Sequence, residues 1–151
     1  MKSITLLLCI FLPVIIAGCS KKGGTDQDES ATKFAAPQWK SDTTGKYPAT
    51  MTSVLALPAG MVSNLTANDQ LGAFINGECR GVASLEKVGD ADLFFIMIHG
   101  LPDESGSIKF KYYSSKTCYM YESNDALNFL IDAVYGTAQN PKTLALSQLK
   151  N

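Results

Sequence analysis

The sequence predicts an all-β domain, a sandwich or barrel of about seven to eight short strands. Three observations carry that reading. Apolar residues recur at period two along most of the chain after Trp39. Turn-forming clusters interrupt them about every 8–12 residues. Asn76-Gly77 joins two apolar-bearing runs, and Asn-Gly between such runs is the strongest short hairpin signal.

Each run supports a strand in turn. In "ATMTSVLAL", Met51, Leu55 and Leu57 fall on one face and Thr50, Thr52 and Val54 on the other. "SNLTANDQ" is a candidate short helix, with Ser63 or Asn64 as its cap. Leu71 to Ile75 then turns at Asn76-Gly77 into Glu78 to Leu85, because a type I′ turn needs positive φ at both central residues. "DLFFIMIH" is an apolar run of strand length. "SIKFKYYS" sets Ile108, Phe110 and Tyr112 against Lys109, Lys111 and Tyr113. "TCYMYE" is short and aromatic, "LNFLI" puts Leu127, Phe129 and Ile131 on one face, and "TLALSQL" is a closing strand. Pro58 to Gly60, Gly89-Asp90, Pro102 to Gly106 and Asn140-Pro141 separate the runs.

The N-terminus gives an address. Lys2 precedes an apolar stretch, Ile4 to Ile16, that ends in "IAGC". Such a segment is a secretory signal, too short and wrongly flanked for a stable membrane span. "IAGC" resembles the lipobox of bacterial lipoproteins, which implies cleavage before Cys19 and lipidation of its thiol and new amino group. Residues 1–18 are then signal peptide, 19–36 a Gly-, Ser- and charge-rich tether, and 37–151 one domain. The expected location is the outer membrane, on the cell surface or facing the periplasm. The acidic "DQDE" of the tether is similar to a surface-export signal that some Bacteroidetes lipoproteins carry just after the lipidated cysteine. Here it lies farther along, behind Lys21 and Lys22. A formal net charge of −1 gives no footprint for a nucleic-acid partner.

Cys79 and Cys118 remain after processing, open to a disulfide, two thiols or metal ligation. The disulfide is the expected state in an oxidising compartment, where closing a loop of this length contributes roughly 3–4 kcal/mol. A metal would need more ligands than His99 and two thiols supply. With Cys79 inward, alternation turns Arg80 outward, onto a carboxylate from Glu78, Asp69 or a partner. An internal ion pair that locks the hairpin is the expected use. His99, the only histidine, has no adjacent nucleophile–acid pattern and reads as a strand-end residue satisfied by backbone. Tyr112, Tyr113, Tyr119 and Tyr121 cluster on one expected hairpin. Alternation leaves Tyr113 and Tyr121 outside, either as a cross-strand ladder or to stack on a sugar ring or dock a protein.

Three motifs resemble a recurring β-rich domain of secreted and surface proteins from Bacteroidetes and their relatives. "DQLGAFINGECRGVA", Asp69 to Ala83, matches its central pattern. Trp39, Tyr47, Thr50, Met51 and Thr52 match its entry strand, and Asp132 to Thr137 with Pro141 match its ending. The resemblance implies an antiparallel β-sandwich of immunoglobulin-like or carbohydrate-binding-like shape and carries over no catalytic residue. Many such relatives repeat the domain in long proteins; this chain has one copy behind a lipobox.

The expected function is therefore a lipid-anchored, non-catalytic binding or adhesion-type module for a glycan or protein, held to the membrane through Cys19 and needing no cofactor. An accessory subunit of a surface complex is the alternative, and a hydrolase a more distant one. Glu78, Arg80, Tyr113 and Tyr121 are the expected binding residues.

Overall fold

The computed structural model describes residues 32–150, so the signal segment, Cys19 and most of the tether lie outside the described residues. In chain order the elements are β1 (Ala49–Ala56), α1 (Ala59–Val62), β2 (Gln70–Ile75), β3 (Glu78–Val82), β4 (Ser84–Val88), β5 (Ala91–Gly100) and β6 (Ser107–Ser114). Then come β7 (Tyr119–Ser123), β8 (Leu127–Asn128), β9 (Val134–Tyr135), β10 (Lys142–Thr143) and β11 (Leu146–Gln148). One sheet runs β10-β1-β5-β4, with β9 also on β1; the other runs β11-β7-β6-β2-β3, with β8 on β6. The all-β sandwich is as expected.

The described residues hold eleven strands rather than seven or eight. The surplus comes from the C-terminal third, which edges both sheets in pairings of two or three residues. β9 and β10 run parallel to β1 and cover its free edge. The expected strand "LNFLI" stops at Asn128, because the Phe129 ring turns onto Gly100, where a Cβ would lie 2.6 Å from it. The expected closing strand is two: Leu144 N bonds Ala56 O in one sheet, and the Ala145 carbonyl accepts from Asn124 N in the other.

The hairpin is as read. Asn76 has φ 51° and Gly77 φ 80°, the left-handed pair that a type I′ turn requires. Its second arm is not one strand. β3 ends at Val82, and β4 joins the opposite sheet from Ser84. Gly81 makes the crossing possible: a Cβ there would sit 2.4 Å from the Met97 carbonyl oxygen of β5. The helix also differs. It occupies Ala59–Val62, and Ser63 closes it instead of opening it.

Leu55, Leu71, Ile75, Phe94, Ile98, Ile108 and Tyr112 form the centre of the core. Full burial of such side chains contributes about 1.5–3 kcal/mol each. β6 follows its predicted bounds, with Ile108, Phe110 and Tyr112 inward. Tyr113 departs from expectation and is 1% exposed. The N-terminal segment explains it by crossing the outer face of that sheet. Phe34 N donates to Cys118 O, Gln70 Nε2 (from the residue paired with Tyr113) to Pro37 O, and Val82 N to Ser41 Oγ. Trp39 packs edge-on against Phe74, 5.3 Å between ring centres. The folded part therefore includes Phe34, ahead of the predicted start at 37.

Cys79 and Cys118 are not joined. Cys79 is a free thiol, so the expected bridge between the two is absent. Register gives the reason. Cys79 pairs with Phe74, which pairs with Lys109 of β6, whereas Cys118 lies beyond Ser114 at the end of that strand. Five strand positions are about 16 Å, well past the roughly 7 Å between Cα atoms that a disulfide spans.

Candidate functional site

Arg80 is buried, not outward. The pairing shifts between Ala73 and Phe74, so that Gly81 faces Ala73, Cys79 faces Phe74 and Arg80 is the extra residue. A bulge breaks strict alternation and re-aims the side chain. The Arg80 guanidinium lies 3.4 Å over the Tyr47 ring centre, a cation–π stack. Nη1 donates to Glu104 Oε2 at 3.0 Å and to His99 O at 3.4 Å, while Nη2 is 3.7 Å from Glu78 Oε2. Arg80 and Glu104 are 5% and 6% exposed at their side chains, so this is a buried pair.

Glu78 completes the cluster from the half-exposed side. Its carboxylate accepts from Lys46 Nζ at 2.8 Å and from the Tyr47 hydroxyl. The Lys46 ammonium, then Tyr47, hold the Glu78 carboxyl below its ordinary range, and Glu78 pushes Lys46 up to about 12. Sequence reasoning paired Glu78 with Arg80, but Tyr47 and Glu104 were missed. Asp69, offered as a partner of Arg80, sits toward the opposite end. These charges satisfy one another, so the cluster ties the segment before β1, β3 and the β5–β6 loop together.

Asp69 builds a second cluster. Its carboxylate accepts from Thr66 N and Oγ1, from Ser115 N and Oγ at 2.8 Å each, and from the Tyr112 hydroxyl. Burial, then Asp69, raises the Tyr112 pKa. Tyr121, expected outside, is half-buried against the core because its ring packs on Tyr112 at 5.9 Å. A cavity of about 80 Å³ opens beside these rings, lined by Met61, Asn64, Tyr112, Ser114, Thr117 and Tyr121 among others. Ser114 is 3% exposed, and its hydroxyl has no hydrogen-bond partner.

The surface carries one further grouping. Of seven exposed large apolar residues among those described, Met97, Leu101, Leu130, Ile131 and Val134 share one region. Met97 and Val134 flank Thr52, paired with it from β5 and β9. Leu101 follows the Gly100–Ala49 pair, and the segment with Leu130 and Ile131 is held when Asp132 N donates to Thr50 O. This band runs from the middle of β1 to the Ala49–Gly100 end. The N-terminal segment leaves by the Cys118 turn, at the other end of β6, about 25 Å away. Among the described residues, no group of three His, Cys, Asp or Glu side chains is placed to hold a metal, and no helix is long and apolar enough to cross a membrane. No family model, curated protein or solved structure matches the chain.

Proposed function

We propose that this chain is a lipid-anchored, non-catalytic module of the bacterial envelope that docks another protein through the apolar band. The observation that carries the reading is the gathering of Met97, Leu101, Leu130, Ile131 and Val134 in one region. Single exposed apolar residues need no explanation, whereas a contiguous patch is typical of a contact surface. Orientation supports it. Twelve residues separate Cys19 from Thr32, a reach of at most about 40 Å. With Cys19 lipidated, the tether meets the domain at the Cys118 end, opposite the end toward which the band extends. Asp103 and Asp132 stand exposed with the band and form no ion pair among the described residues. They favour a partner that brings basic groups, and they disfavour an anionic lipid surface.

The test is chemical cross-linking of the full chain in intact cells. We expect a discrete cross-linked species that disappears in Leu130→Lys/Val134→Lys, with stability unchanged to about 0.5 kcal/mol per substitution. Cys19→Ala should abolish acyl labelling. An unaltered cross-linking pattern in the double variant rejects the docking surface, and acyl label surviving in Cys19→Ala rejects the anchor.

A further inference from the structure

We propose that the cavity beside Tyr112 and Tyr121 binds a small uncharged polyol through adjacent hydroxyl groups. This inference is independent of the docking surface, which lies toward the opposite end of the sandwich. Its first support is Ser114. A buried hydroxyl without a partner is uncommon, because desolvating it without a hydrogen bond costs free energy. It lies near enough to the Tyr112 hydroxyl to favour the ionised phenol, but not in hydrogen-bond geometry with it.

The lining selects the ligand class. Ser114 and Thr117 contribute hydroxyls, and Asn64 contributes an amide. Asn64 Oδ1 is taken by Lys116 Nζ at 3.0 Å, which leaves its NH2 as a donor. No charged side chain lines the cavity. The nearby Asp69 carboxylate, behind Tyr112, opposes an anion, and the Lys116 ammonium is committed to Asn64. Met61 and the tyrosine rings supply an apolar wall for C–H groups. About 80 Å³ takes two or three water-sized groups, which suits a diol end better than a whole sugar ring.

The walls are also held in advance. Asp69 fixes the Tyr112 hydroxyl, four further hydrogen bonds fix Asp69, and Tyr121 packs on Tyr112. A ligand then orders little on entry, the condition under which a few hydrogen bonds yield measurable affinity.

The test is calorimetric titration of the full chain with glycerol, D-glucose and inorganic phosphate. We expect saturable binding of at least one polyol below about 100 mM and none of phosphate. Ser114→Ala should keep the melting temperature of the parent, since it removes an unsatisfied group, yet weaken that binding about two- to tenfold. Asn64→Ala, at an exposed position, should weaken it similarly. The proposal is overturned if no polyol saturates, if phosphate binds as well, if both variants bind like the parent, or if Ser114→Ala melts far lower because the hydroxyl is structural.

Discussion

Asp69 and Arg80 are both buried charges, and the protein neutralises them in opposite ways. Asp69 meets no cation. Five neutral donors from Thr66, Tyr112 and Ser115 converge on it and spread its charge over dipoles that the loop and β6 hold in place. Arg80 meets two carboxylates and an aromatic face, yet its Nε has no hydrogen-bond partner among the described residues. Dipoles can be placed around a small anion until all its lone pairs are used. A long planar cation in a bulge takes the partners that three separate segments bring. The Asp69 end is therefore locally complete, and the Arg80 end depends on tertiary closure.

The largest effect should come from breaking the ionic end. Arg80→Ala leaves Glu104 buried and unpaired, and the expected loss is about 3–5 kcal/mol by denaturant unfolding. Adding Glu104→Gln should recover part of it. If the double variant is no more stable than Arg80→Ala, the pair is not what Arg80 supplies. Next comes Asp69→Ala, expected to cost about 3 kcal/mol because donors in Thr66, Ser115 and Tyr112 lose their acceptor together. A loss under about 1 kcal/mol would mean that water replaces the carboxylate and that the locally complete cluster is not rigid.

The smallest effect concerns Glu78 on the exposed rim. Its folded pKa is depressed, so the stabilisation it gives is present above the unfolded carboxyl pKa and is lost as pH falls through the folded value. The melting temperature should decline from about pH 5 downward, and Glu78→Gln should flatten that slope. An identical slope in the variant would remove Glu78 from the ionic end.

Much of this frame was legible in the sequence because it depends on local rules. The Asn76-Gly77 turn and the bounds of β6 follow from φ preference and alternation alone. Arg80 was misread because a bulge leaves no mark in a period-two pattern; its two-against-one pairing exists only once β2 and β3 meet. Tyr113 was misread for a different reason. Alternation assigns a residue to a face, but it cannot say that another segment of chain covers that face. The Cys79–Cys118 pairing failed on register, which neither spacing nor composition encodes. Tyr47 and Glu104 lie 33 and 24 residues from Arg80 and share no motif with it. They were found only when the bulge aimed the guanidinium between them. Asp69 was visible as a motif residue, but its donors come from a loop and a turn that periodicity does not connect.

The path of residues 34–41 has a mechanical consequence. The segment enters at the Cys118 turn and is fastened in sequence at Cys118, Gln70, Phe74 and Val82. A pull on the chain ahead of it, directed away from that end, acts along the line of these fastenings. They are loaded together in shear, not opened one after another like a zipper. A domain tugged by its N-terminal leash should resist as a strapped unit, and the first thing to slip would be the strap, exposing Tyr113, while the two sheets stay closed.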